Sequence, residues 1–398
     1  MREPLRQASE GLRVALVGGA VRDLMLHHLH RDPLTGMPDL DLLVEPPGAL
    51  VLAERLRQRM EAVGRPLVLF RPHPAYGTVE IGCDALLLDL ATARAETYPR
   101  PAENPVVQPG RLEDDLARRD FSINAMALVL QPGDGATLLD PHGGQHDLAA
   151  RQLRLLHGRS LTDDPTRLVR AARYGARQGL SLEPASLEQA RRTLAAWPWP
   201  WRPGDPPQQA PPALGTRLRM EFDLLLEREP WPRALALLQA WGGLALLDAG
   251  LQADQHWRPR LRRAQRLGVP LLPALLTAAT NPVALAARLQ LPHGQQRWLA
   301  LWLALRAGLP APAVAAAWPP SRWCALLEAP GCSAEAVALA IAAGDGPRRP
   351  LLRWWLHWRR VQPPLSAAEL MAREGLSPGP ALGERLRQLR AEQLDRLP

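Results

Sequence analysis

The sequence predicts an α+β protein, in which a mixed β-sheet with helices at the N-terminus is followed by helices alone. Short apolar runs up to about residue 157, among them VALV, DLDLLV and LLLDLAT, predict strands. After Leu161 the apolar residues recur at helical spacing instead. From Trp231 onward, segments rich in Ala, Leu and Arg are interrupted by prolines, as is typical of short helices. A chain of 398 residues is long enough for several domains.

We therefore expect three parts, at residues 1–157, 158–230 and 231–398. The Pro-rich stretch WPWPWRPGDPPQQAPP, at about residues 197–212, predicts an exposed insertion between two helices of the second part. We expect its tryptophans, Trp197, Trp199 and Trp201, to pack against the protein, and contact with RNA is the less favoured alternative.

Charge and cysteine content narrow the class of protein. The formal net charge is +8, with 48 basic against 40 acidic residues, and this balance suggests a polyanionic partner such as nucleic acid. The three cysteines form no CxxC pair, so neither a disulfide framework nor a zinc site is expected. The sequence contains no apolar leader and no apolar run of about 18 residues, which predicts a cytoplasmic protein without a membrane. Nothing indicates a stable protein partner.

The first predicted strand leads into a pair of glycines. VALVGGAVRDLML is typical of a strand, a turn at Gly18 and Gly19, and a helix that follows the turn. Backbone NH groups at such a turn, with a helix N-terminus behind them, bind phosphate. A Gly-Gly pair alone is most often only a turn, so its meaning depends on the residues downstream of it.

Two aspartates lie one residue apart in the next predicted strand. Side chains at positions i and i+2 point to the same side of a strand, about 6.6–7 Å apart, so Asp39 and Asp41 share one face and Leu40 and Leu42 the other. Two carboxylates held in this way can bind the two divalent ions that phosphoryl transfer uses, about 3.5–4 Å apart. Mg²⁺ fits because it takes oxygen ligands and keeps waters and phosphates in its shell. The sequence predicts Asp39 and Asp41 as metal ligands.

Downstream of these aspartates, the sequence predicts a helix at residues 49–63 and strands at 66–70, 77–82 and 85–92. In the last of these strands Asp89 is the best candidate for a third catalytic carboxylate on a neighbouring strand.

GGAVRD followed by DLD resembles the signature of the nucleotidyltransferase superfamily. The VRD form resembles class II tRNA nucleotidyltransferases, the CCA-adding enzymes, and the related bacterial poly(A) polymerases. Further motifs match in the same order: LEDDLARRDFSINAMAL, DPHGGQHDLAARQLR, DDPTRLVRAARYGARQGL and RLRMEFDLLLE. The resemblance covers about residues 12–230. It implies a nucleotidyltransferase head at 1–157, a helical neck at 158–230 with the base-reading helix, and a tRNA-binding body and tail at 231–398.

The resemblance also implies roles for individual residues. In the head, Gly18, Gly19 and Arg22 are expected to hold the triphosphate, and Asp120 the 2′-hydroxyl of the incoming ribose, with Arg119 in support. Asn124 in the same motif is expected to bind nucleotide as well.

In the neck, Asp164 and Arg167 are expected to read the base edge of C or A. Their i, i+3 spacing makes them neighbours on one helix face, with Asp163 or Thr162 as the helix cap. Arg170 and Arg173 continue the row toward the triphosphate or the tRNA end. Without the other motifs, a solvated, ion-paired helix face would be the simpler interpretation of this spacing.

The implied activity is template-independent addition of C and/or A, from CTP and ATP, to the 3′ end of tRNA, with Mg²⁺ as cofactor. Alternatives are an enzyme that adds only CC or only A, a poly(A) polymerase, a catalytically dead RNA-binding protein and a nucleotidyltransferase for small molecules.

Two departures from the family pattern stand out. Asp163 replaces the usual Glu, and the Pro-rich segment between Thr92 and Arg118 is short where the family has a loop needed for A addition. The segments RWWLHWRR and RLRQLRAEQLDRL are expected to bind tRNA phosphates.

Overall fold

The computed structural model describes residues 2–34, 39–83, 86–131 and 135–397. It divides into two compact units. Unit 1 contains residues 1–202 and 211–243, and unit 2 contains residues 203–210 and 244–398. In the part of the chain that is described, no helix is long and apolar enough to cross a membrane.

Unit 1 contains every strand that the structure describes. The strands are β1 (Val14–Val17), β2 (Asp39–Val44), β3 (Leu69–His73), β4 (Thr78–Cys83), β5 (Leu86–Thr92), β6 (Arg94–Thr97), β7 (Val106–Pro109), β8 (Ala127–Leu130), β9 (Ala136–Leu139), β10 (Gln152–Leu153) and β11 (Ser181–Leu182). Its helices are α1 (Arg2–Ala8), α2 (Gly19–His30), α3 (Ala49–Ala62), α4 (Leu112–Ala117), α5 (Gly144–Ala149), α6 (Ser160–Asp163), α7 (Thr166–Gln178), α8 (Pro184–Ala196), α9 (Thr216–Arg228) and α10 (Trp231–Ala240).

In the described part of unit 2, helices alternate with turns and irregular segments, and no strand is present. Its helices are α11 (Ala249–Ala253), α12 (Trp257–Arg266), α13 (Leu271–Leu276), α14 (Pro282–Arg288), α15 (His293–Gly308), α16 (Pro312–Ala315), α17 (Pro320–Leu327), α18 (Ala334–Ala343), α19 (Arg348–Leu356), α20 (Ala367–Glu374) and α21 (Pro380–Asp395). The predicted order of a mixed sheet followed by helices is confirmed. The predicted boundaries at residues 157 and 230 stay predictions.

Seven strands form the main sheet, in the order β3-β4-β5-β2-β1-β8-β9. The β2–β5 pair is parallel and the other neighbours are antiparallel, so the sheet is mixed. Leu42 and Leu88 point to one face, where they pack against α3 through residues such as Leu52 and Leu56. Leu43 lies on the opposite face with Leu112 of α4. Residues that alternate with Leu42 and Leu88 therefore face away from α3.

Two elements differ from the sequence prediction. The strand expected at residues 66–70 is instead β3, at the edge of the sheet, and Val68 just before it is 75% exposed. A 3₁₀ turn at Pro74–Tyr76 joins β3 to β4 and sets this register. The segment between Thr92 and Arg118 contains the β6–β7 hairpin, in which Arg94 pairs with Pro109.

The Pro-rich insertion is less exposed than predicted. Trp199 and Trp201 are buried, and Nε1 of Trp199 donates to the carbonyl of Thr162 across 3.0 Å. Nε1 of Trp197 donates to the carbonyl of Trp201 at 2.7 Å. These indoles hold the start of the insertion against the helical part of unit 1, because a buried indole NH needs an acceptor.

Candidate active site

The turn between β1 and α2 brings the backbone against a carboxylate. Gly18 is the N-cap of α2 and has φ +72°, a conformation that residues with a Cβ rarely adopt. A Cβ at Gly18 would lie 3.0 Å from Oδ2 of Asp41 and 3.8 Å from Nη1 of Arg119. Glycine is therefore required here both by the backbone conformation and by the space.

Asp41 and Asp89 lie side by side on the sheet face opposite α3. The parallel register of β2 and β5 pairs Asp41 directly with Asp89, and neighbouring strands are about 4.8 Å apart. Both residues line a cavity of about 350 Å³ that Glu80 and Arg119 also line. Asp89 thus lies on the strand next to Asp41, and its role as a further catalytic carboxylate stays a prediction. The backbone of Asp39 pairs with Leu87, whereas the Asp39 side chain lies outside the part of the chain that the structure describes.

These carboxylates suit a magnesium ion, which needs few protein ligands, better than a metal ion that is held by protein side chains alone. The described residues contain no group of three His, Cys, Asp or Glu side chains that could hold a metal. Mg²⁺ needs only one or two carboxylates, because waters and substrate phosphates fill the rest of its shell. Two adjacent carboxylates beside the glycine turn match that requirement.

A cavity of about 730 Å³ brings most of the predicted site residues together. It is lined by Gly18, Gly19, Arg22, Asp41, Arg94, Glu96, Tyr98, Asn104, Pro105, Arg118, Arg119, Asp120, Asn124, Asp164, Arg167, Arg170, Arg173, Tyr174, Arg177 and Arg217. Nine of these residues are arginines and four are acidic. The cavity is therefore suited to a ligand with several negative charges.

Asn124 links three of the predicted residues. Its Oδ1 accepts a hydrogen bond from Nη1 of Arg22 at 3.0 Å, and its Nδ2 donates to Oδ1 of Asp120 at 3.0 Å. Its backbone carbonyl accepts from Nη1 of Arg119 at 3.1 Å. Asn124 and Arg22 are buried, so the network has little freedom to rearrange.

Asp120 is buried, yet its carboxyl group keeps a low pKa. Burial raises the pKa of its carboxyl group, but Arg170, whose Nε donates to Oδ2 at 2.7 Å, and the amide of Asn124 lower it below the usual value. Asp120 is therefore ionised at neutral pH and acts only as an acceptor. An acceptor is what a ribose hydroxyl needs.

The N-terminus of α7 differs from the predicted cap. Thr162 and Asp163 belong to the separate short helix α6, and α7 begins after Pro165. Asp164 lies in extended conformation between the two helices, and its Oδ1 accepts from the backbone NH of Thr166 at 3.1 Å. The carboxylate at the helix start is therefore that of Asp164, because Asp163 instead pairs with Arg159 at 3.1 Å.

The two predicted base-reading residues both face the cavity, but they do not pair with each other. Oδ2 of Asp164 accepts from Nη2 of Arg217, from α9. Arg167 donates to Oγ of Ser160 at 2.6 Å and to the backbone carbonyl of Arg118 at 2.9 Å. Separate partners thus hold the acceptor and the donor in place before any ligand arrives.

The arginines of α7 are anchored by two glutamates. Glu221 pairs with Arg173 at 2.5 Å and with Arg170 at 3.4 Å. Glu229 pairs with Arg173 at 3.3 Å and also with Arg177. The hydrogen bond to Glu229 raises the pKa of Arg177, and the charge of Asp120, with a smaller contribution from Glu221, raises the pKa of Arg170. The three guanidiniums are fixed as permanent cations at the cavity wall.

The β6–β7 hairpin contributes an acidic edge to the cavity. Glu96 pairs with Arg94 and with Arg118, each at 2.9 Å, and its side chain is 6% exposed. Burial raises the pKa of Tyr98 to about 12, and the nearby charge of Glu96 adds to this effect. Tyr98 is therefore a neutral hydroxyl at any working pH.

Sequence reasoning missed several residues that line this cavity or support the residues that line it. Asp115 is buried and pairs with Arg118 at 2.8 Å and with Arg119 at 3.1 Å. Its i, i+3 and i, i+4 spacing to these arginines was a usable signal. The contacts of Glu96, Arg217 and Glu229 join elements far apart in the sequence, and no local pattern indicates them.

Comparisons with known proteins agree with this arrangement. Residues 14–154 match the family described as the Poly A polymerase head domain. The chain is 39% identical over 303 residues to the CC-adding tRNA nucleotidyltransferase of Deinococcus radiodurans, and this match covers 72% of this chain and 69% of that protein. It is 41% identical over 171 residues to the A-adding tRNA nucleotidyltransferase of Aquifex aeolicus, but this match covers only 43% of this chain and 19% of that protein.

Solved structures share the fold over nearly the whole chain. An apo CCA-adding enzyme superposes with a TM-score of 0.74 at 24% identity, covering 98% of this chain and 90% of that one. The CCA-adding enzyme of Thermotoga maritima in complex with tRNA gives a TM-score of 0.70 at 23% identity, covering 99% and 90%. At these identities the likeness concerns the fold.

Proposed function

The chain belongs to the family of tRNA nucleotidyltransferases and poly(A) polymerases, and from that premise we propose that it adds C and/or A, from CTP or ATP, to the 3′ end of tRNA. The chain spans 69% of the CC-adding relative but only 19% and 40% of two A-adding relatives. Substrate, nucleotides and cellular location, predicted to be the cytoplasm, are therefore parts of the proposal.

One observation carries the proposal. A single cavity is lined by the glycine turn, by Asp41, by the ribose-side Asp120 and by the base-side pair Asp164 and Arg167. A nucleoside triphosphate has three parts that need three kinds of partner: phosphates, a ribose hydroxyl and a base edge. The cavity supplies cations and backbone NH groups for the phosphates. It supplies a carboxylate for the ribose hydroxyl, and a hydrogen-bond donor beside an acceptor for the base edge.

The phosphate end is expected at the N-terminus of α2. The first NH groups of a helix have no intrahelical partner, and the helix dipole favours negative charge there. Gly18 and Gly19 let the backbone approach closely, and Arg22, Arg170 and Arg173 line the same cavity.

The base end is expected between Asp164 and Arg167. Cytosine and adenine both carry an amino donor beside a ring-nitrogen acceptor, so a carboxylate acceptor beside a guanidinium donor pairs with either of them. Uracil and guanine present a carbonyl oxygen where these two bases present the amino group. The protein groups then stand in for a template, and they leave U and G with mismatched hydrogen bonds.

Asp39 and Asp41 are proposed to hold Mg²⁺, with Asp89 beside them. When bound, the metal supplies Lewis-acid stabilisation of the α-phosphate and a lower pKa for the attacking 3′-hydroxyl. The chain's own groups place the nucleotide: Asp120 accepts from the 2′-hydroxyl, and the arginines of α7 bind the phosphates and offset the charge of the leaving pyrophosphate.

A CC-adding activity is the second candidate. The relative of which the chain covers 69% carries that name. The segment between β6 and β7 is also short, spanning residues 98–105. The experiment described next also distinguishes a poly(A) polymerase and a catalytically dead RNA-binding protein from the CCA-adding and CC-adding candidates.

The test uses three transcripts of one tRNA, ending at the discriminator base, at C and at CC. Each is incubated with Mg²⁺ and with CTP, ATP or both, and product length is read on a gel. Growth of the shortest transcript by three residues indicates a CCA enzyme, and a stop at two a CC enzyme. Extension of the CC end alone indicates an A enzyme, and a long A ladder a poly(A) polymerase. No extension by folded protein would refute the enzymatic proposal.

Asp41→Asn provides the matched inactive variant. It keeps the size of the side chain but removes the charge, so incorporation should fall by at least about a hundredfold. Binding of tRNA, measured by filter retention, should stay within a few-fold of wild type. Asp223→Asn, at a half-buried carboxylate of α9 that pairs with Arg219, is the control and should keep full activity. Retained incorporation in Asp41→Asn would contradict the assignment.

A further inference from the structure

Helix α6 connects the two residues that are proposed to read the base. It has only four residues, Ser160–Asp163, and Asp164 follows it directly in extended conformation. Oγ of Ser160 accepts a hydrogen bond from Nη1 of Arg167 at 2.6 Å. A shift of α6 would therefore move the acceptor of Asp164 and the donor of Arg167 together, so both depend on how firmly α6 is held.

A helix as short as α6 is not stable by itself. Its single turn fixes more backbone torsions than its few hydrogen bonds can offset, and the last carbonyls of a helix have no partner within it. In α6 these are the carbonyls of Thr162 and Asp163, which come directly before Asp164 in the chain. Because Asp163 and Asp164 are buried, donors from elsewhere in the chain have to satisfy this end of the helix.

The Pro-rich insertion supplies the first of these donors. Nε1 of Trp199 donates to the carbonyl of Thr162 at 3.0 Å, and Trp199 is 3% exposed. The ring of Trp197 meets that of Trp199 edge-on, with the ring centres 4.9 Å apart. Pro198 and Pro200 flank Trp199 in the sequence and restrict its backbone. The indole NH is therefore held in one place by a stiff piece of chain.

The second donor comes from the segment between β6 and β7. The backbone NH of Ala102 donates to the carbonyl of Asp163 at 3.2 Å, and the carbonyl of Ala102 accepts from the NH of Ala213 at 3.0 Å. Ala213 belongs to the 3₁₀ turn Pro212–Leu214, which follows the insertion and packs against α9. Ala102 and Ala213 are buried. The two ends of the insertion thus hold the end of α6, one directly and the other through Ala102.

We propose that the Pro-rich insertion controls nucleotide selection by holding α6, and that Trp199 is a positioning residue for Asp164 and Arg167. The inference rests on the proposed function for the assignment of these two residues as base readers. Trp199 is not among the described residues that line the cavity, so it acts on the nucleotide through α6. Hydrogen bonds to a base edge weaken steeply when the acceptor or donor is misaligned. Loosening α6 therefore lowers discrimination between bases more than it lowers the rate of transfer.

The experiment compares the same substitution at two neighbouring tryptophans. Trp199→Phe removes the NH donor to Thr162 and keeps an aromatic ring. Trp197→Phe is the matched control, because it removes only the NH donor to the carbonyl of Trp201, a contact within the insertion. Steady-state kinetics give kcat and KM for UTP and for the nucleotide that the wild type adds, CTP or ATP, on the transcript that the wild type extends.

In Trp199→Phe the KM for the correct nucleotide should rise, and its kcat/KM relative to that for UTP should fall by about tenfold. The kcat for the correct nucleotide should stay within about twofold, because the carboxylates of the sheet are untouched. Trp197→Phe should keep the wild-type ratio. Partial unfolding would instead lower the apparent kcat for both nucleotides and leave their ratio unchanged, and thermal melting checks that each variant is folded in the assay.

Two further variants test the two steps of the inference. In Trp199→His, Nε2 of the imidazole can occupy the place of the indole Nε1, so at about pH 8 this variant should select better than Trp199→Phe although its side chain is smaller. Ser160→Ala releases Arg167 from α6 and leaves the insertion intact, and it should lower the ratio by about tenfold as well. A wild-type ratio in folded Trp199→Phe or in Ser160→Ala would overturn the proposal. Selectivity that follows side-chain volume at position 199, or that falls equally in Trp197→Phe, would also overturn it.

Failure of the proposed function has a different signature. If the wild type extends no transcript, the proposed function fails by itself, and the inference is tested by calorimetric titration of CTP, ATP and UTP. Trp199→Phe should then weaken binding of CTP or ATP by about tenfold and leave binding of UTP unchanged. Unchanged binding of all three would refute the inference, and absence of binding to the wild type would refute both.

Discussion

Asn124 holds Asp120 through a hydrogen bond of 3.0 Å from its amide nitrogen to the carboxylate. The oxygen of the same amide accepts from Arg22, also at 3.0 Å. An amide can satisfy a carboxylate on one side and a guanidinium on the other, because it carries both a donor and an acceptor. In this way Asn124 couples Asp120, the proposed ribose acceptor, to Arg22, a proposed phosphate ligand.

Asn124→Asp should separate these two functions. The new carboxylate keeps the contact with Arg22 but repels Asp120, so the ribose acceptor loses its position. We expect the KM for CTP to rise by about tenfold, equivalent to about 1.4 kcal/mol, and the preference for CTP over dCTP to fall. Steady-state kinetics with both nucleotides measure this. Asn281→Asp is the control, since Asn281 caps α14 in unit 2 and Asp caps equally well. An unchanged CTP/dCTP ratio in folded Asn124→Asp would contradict the coupling.

Gly18→Ala should inactivate the enzyme by displacing Asp41. The added Cβ would lie 3.0 Å from the Asp41 carboxylate, and the backbone conformation of φ +72° and ψ −138° costs a residue with a Cβ about 1–3 kcal/mol of folding free energy. Gly64→Ala is a matched control, because Gly64 has φ +69° but no atom within 4 Å of the new Cβ. Both variants should lose stability in urea unfolding, but only Gly18→Ala should lose nucleotide incorporation, by at least about a hundredfold. Equal activity in the two variants would refute a steric role for Gly18.

Arg217→Met should weaken base selection without removing either base-reading residue. Arg217 donates to Oδ2 of Asp164, so its loss leaves that oxygen without its fixed partner and lets the carboxylate rotate. We expect the ratio of kcat/KM for CTP to that for UTP to fall by about tenfold. Arg219→Met on the same helix breaks only the pair with Asp223, at 3.2 Å, and serves as the control. If both variants lose selectivity alike, the effect comes from α9 as a whole and not from the contact with Asp164.

The sequence predicted the parts of the fold that depend on local patterns. β2 and α3 lie within two residues of the predicted bounds, because their apolar spacing is regular over the whole element. The β6–β7 hairpin was missed because prolines and charged residues hide its alternation, and its strands are only four residues long. β8 and β9 were missed for a similar reason: each is four residues long and gains its stability from pairing with a distant part of the chain.

The candidate site was predictable where its residues belong to a recognisable sequence motif. Gly18, Asp41, Asp120 and Arg167 meet in one cavity, as their motifs indicated. The residues that hold these side chains in place were not predictable, because they come from elements far away in the sequence. Glu229 lies 52 residues from Arg177, and no spacing rule connects the two.

Arg170→Gln should make stability depend on pH through Asp120. In the wild type the pKa of Asp120 is lowered, so its stabilising contribution is present above the unfolded value of about 3.9 and is lost only as the pH falls through the folded value. Without Arg170, burial dominates and the pKa of Asp120 rises above its ordinary value. The folded variant then takes up a proton more readily than the unfolded chain, and its stability relative to wild type improves as the pH falls.

The loss of unfolding free energy in Arg170→Gln should therefore be largest at about pH 7.5 and smaller at about pH 4.5. A broken buried pair costs about 3–5 kcal/mol, and we expect about 2 kcal/mol at the higher pH because the Arg170 side chain is 36% exposed. Urea unfolding of both proteins at the two pH values measures the difference. Arg192→Gln breaks an exposed pair with Glu188 at 3.7 Å and should cost less than about 0.5 kcal/mol at either pH. A deficit in Arg170→Gln that is equal at the two pH values would mean that Asp120 stays ionised without its arginine, and that the contacts from Asn124 and the backbone NH of Phe121 are enough to keep it so.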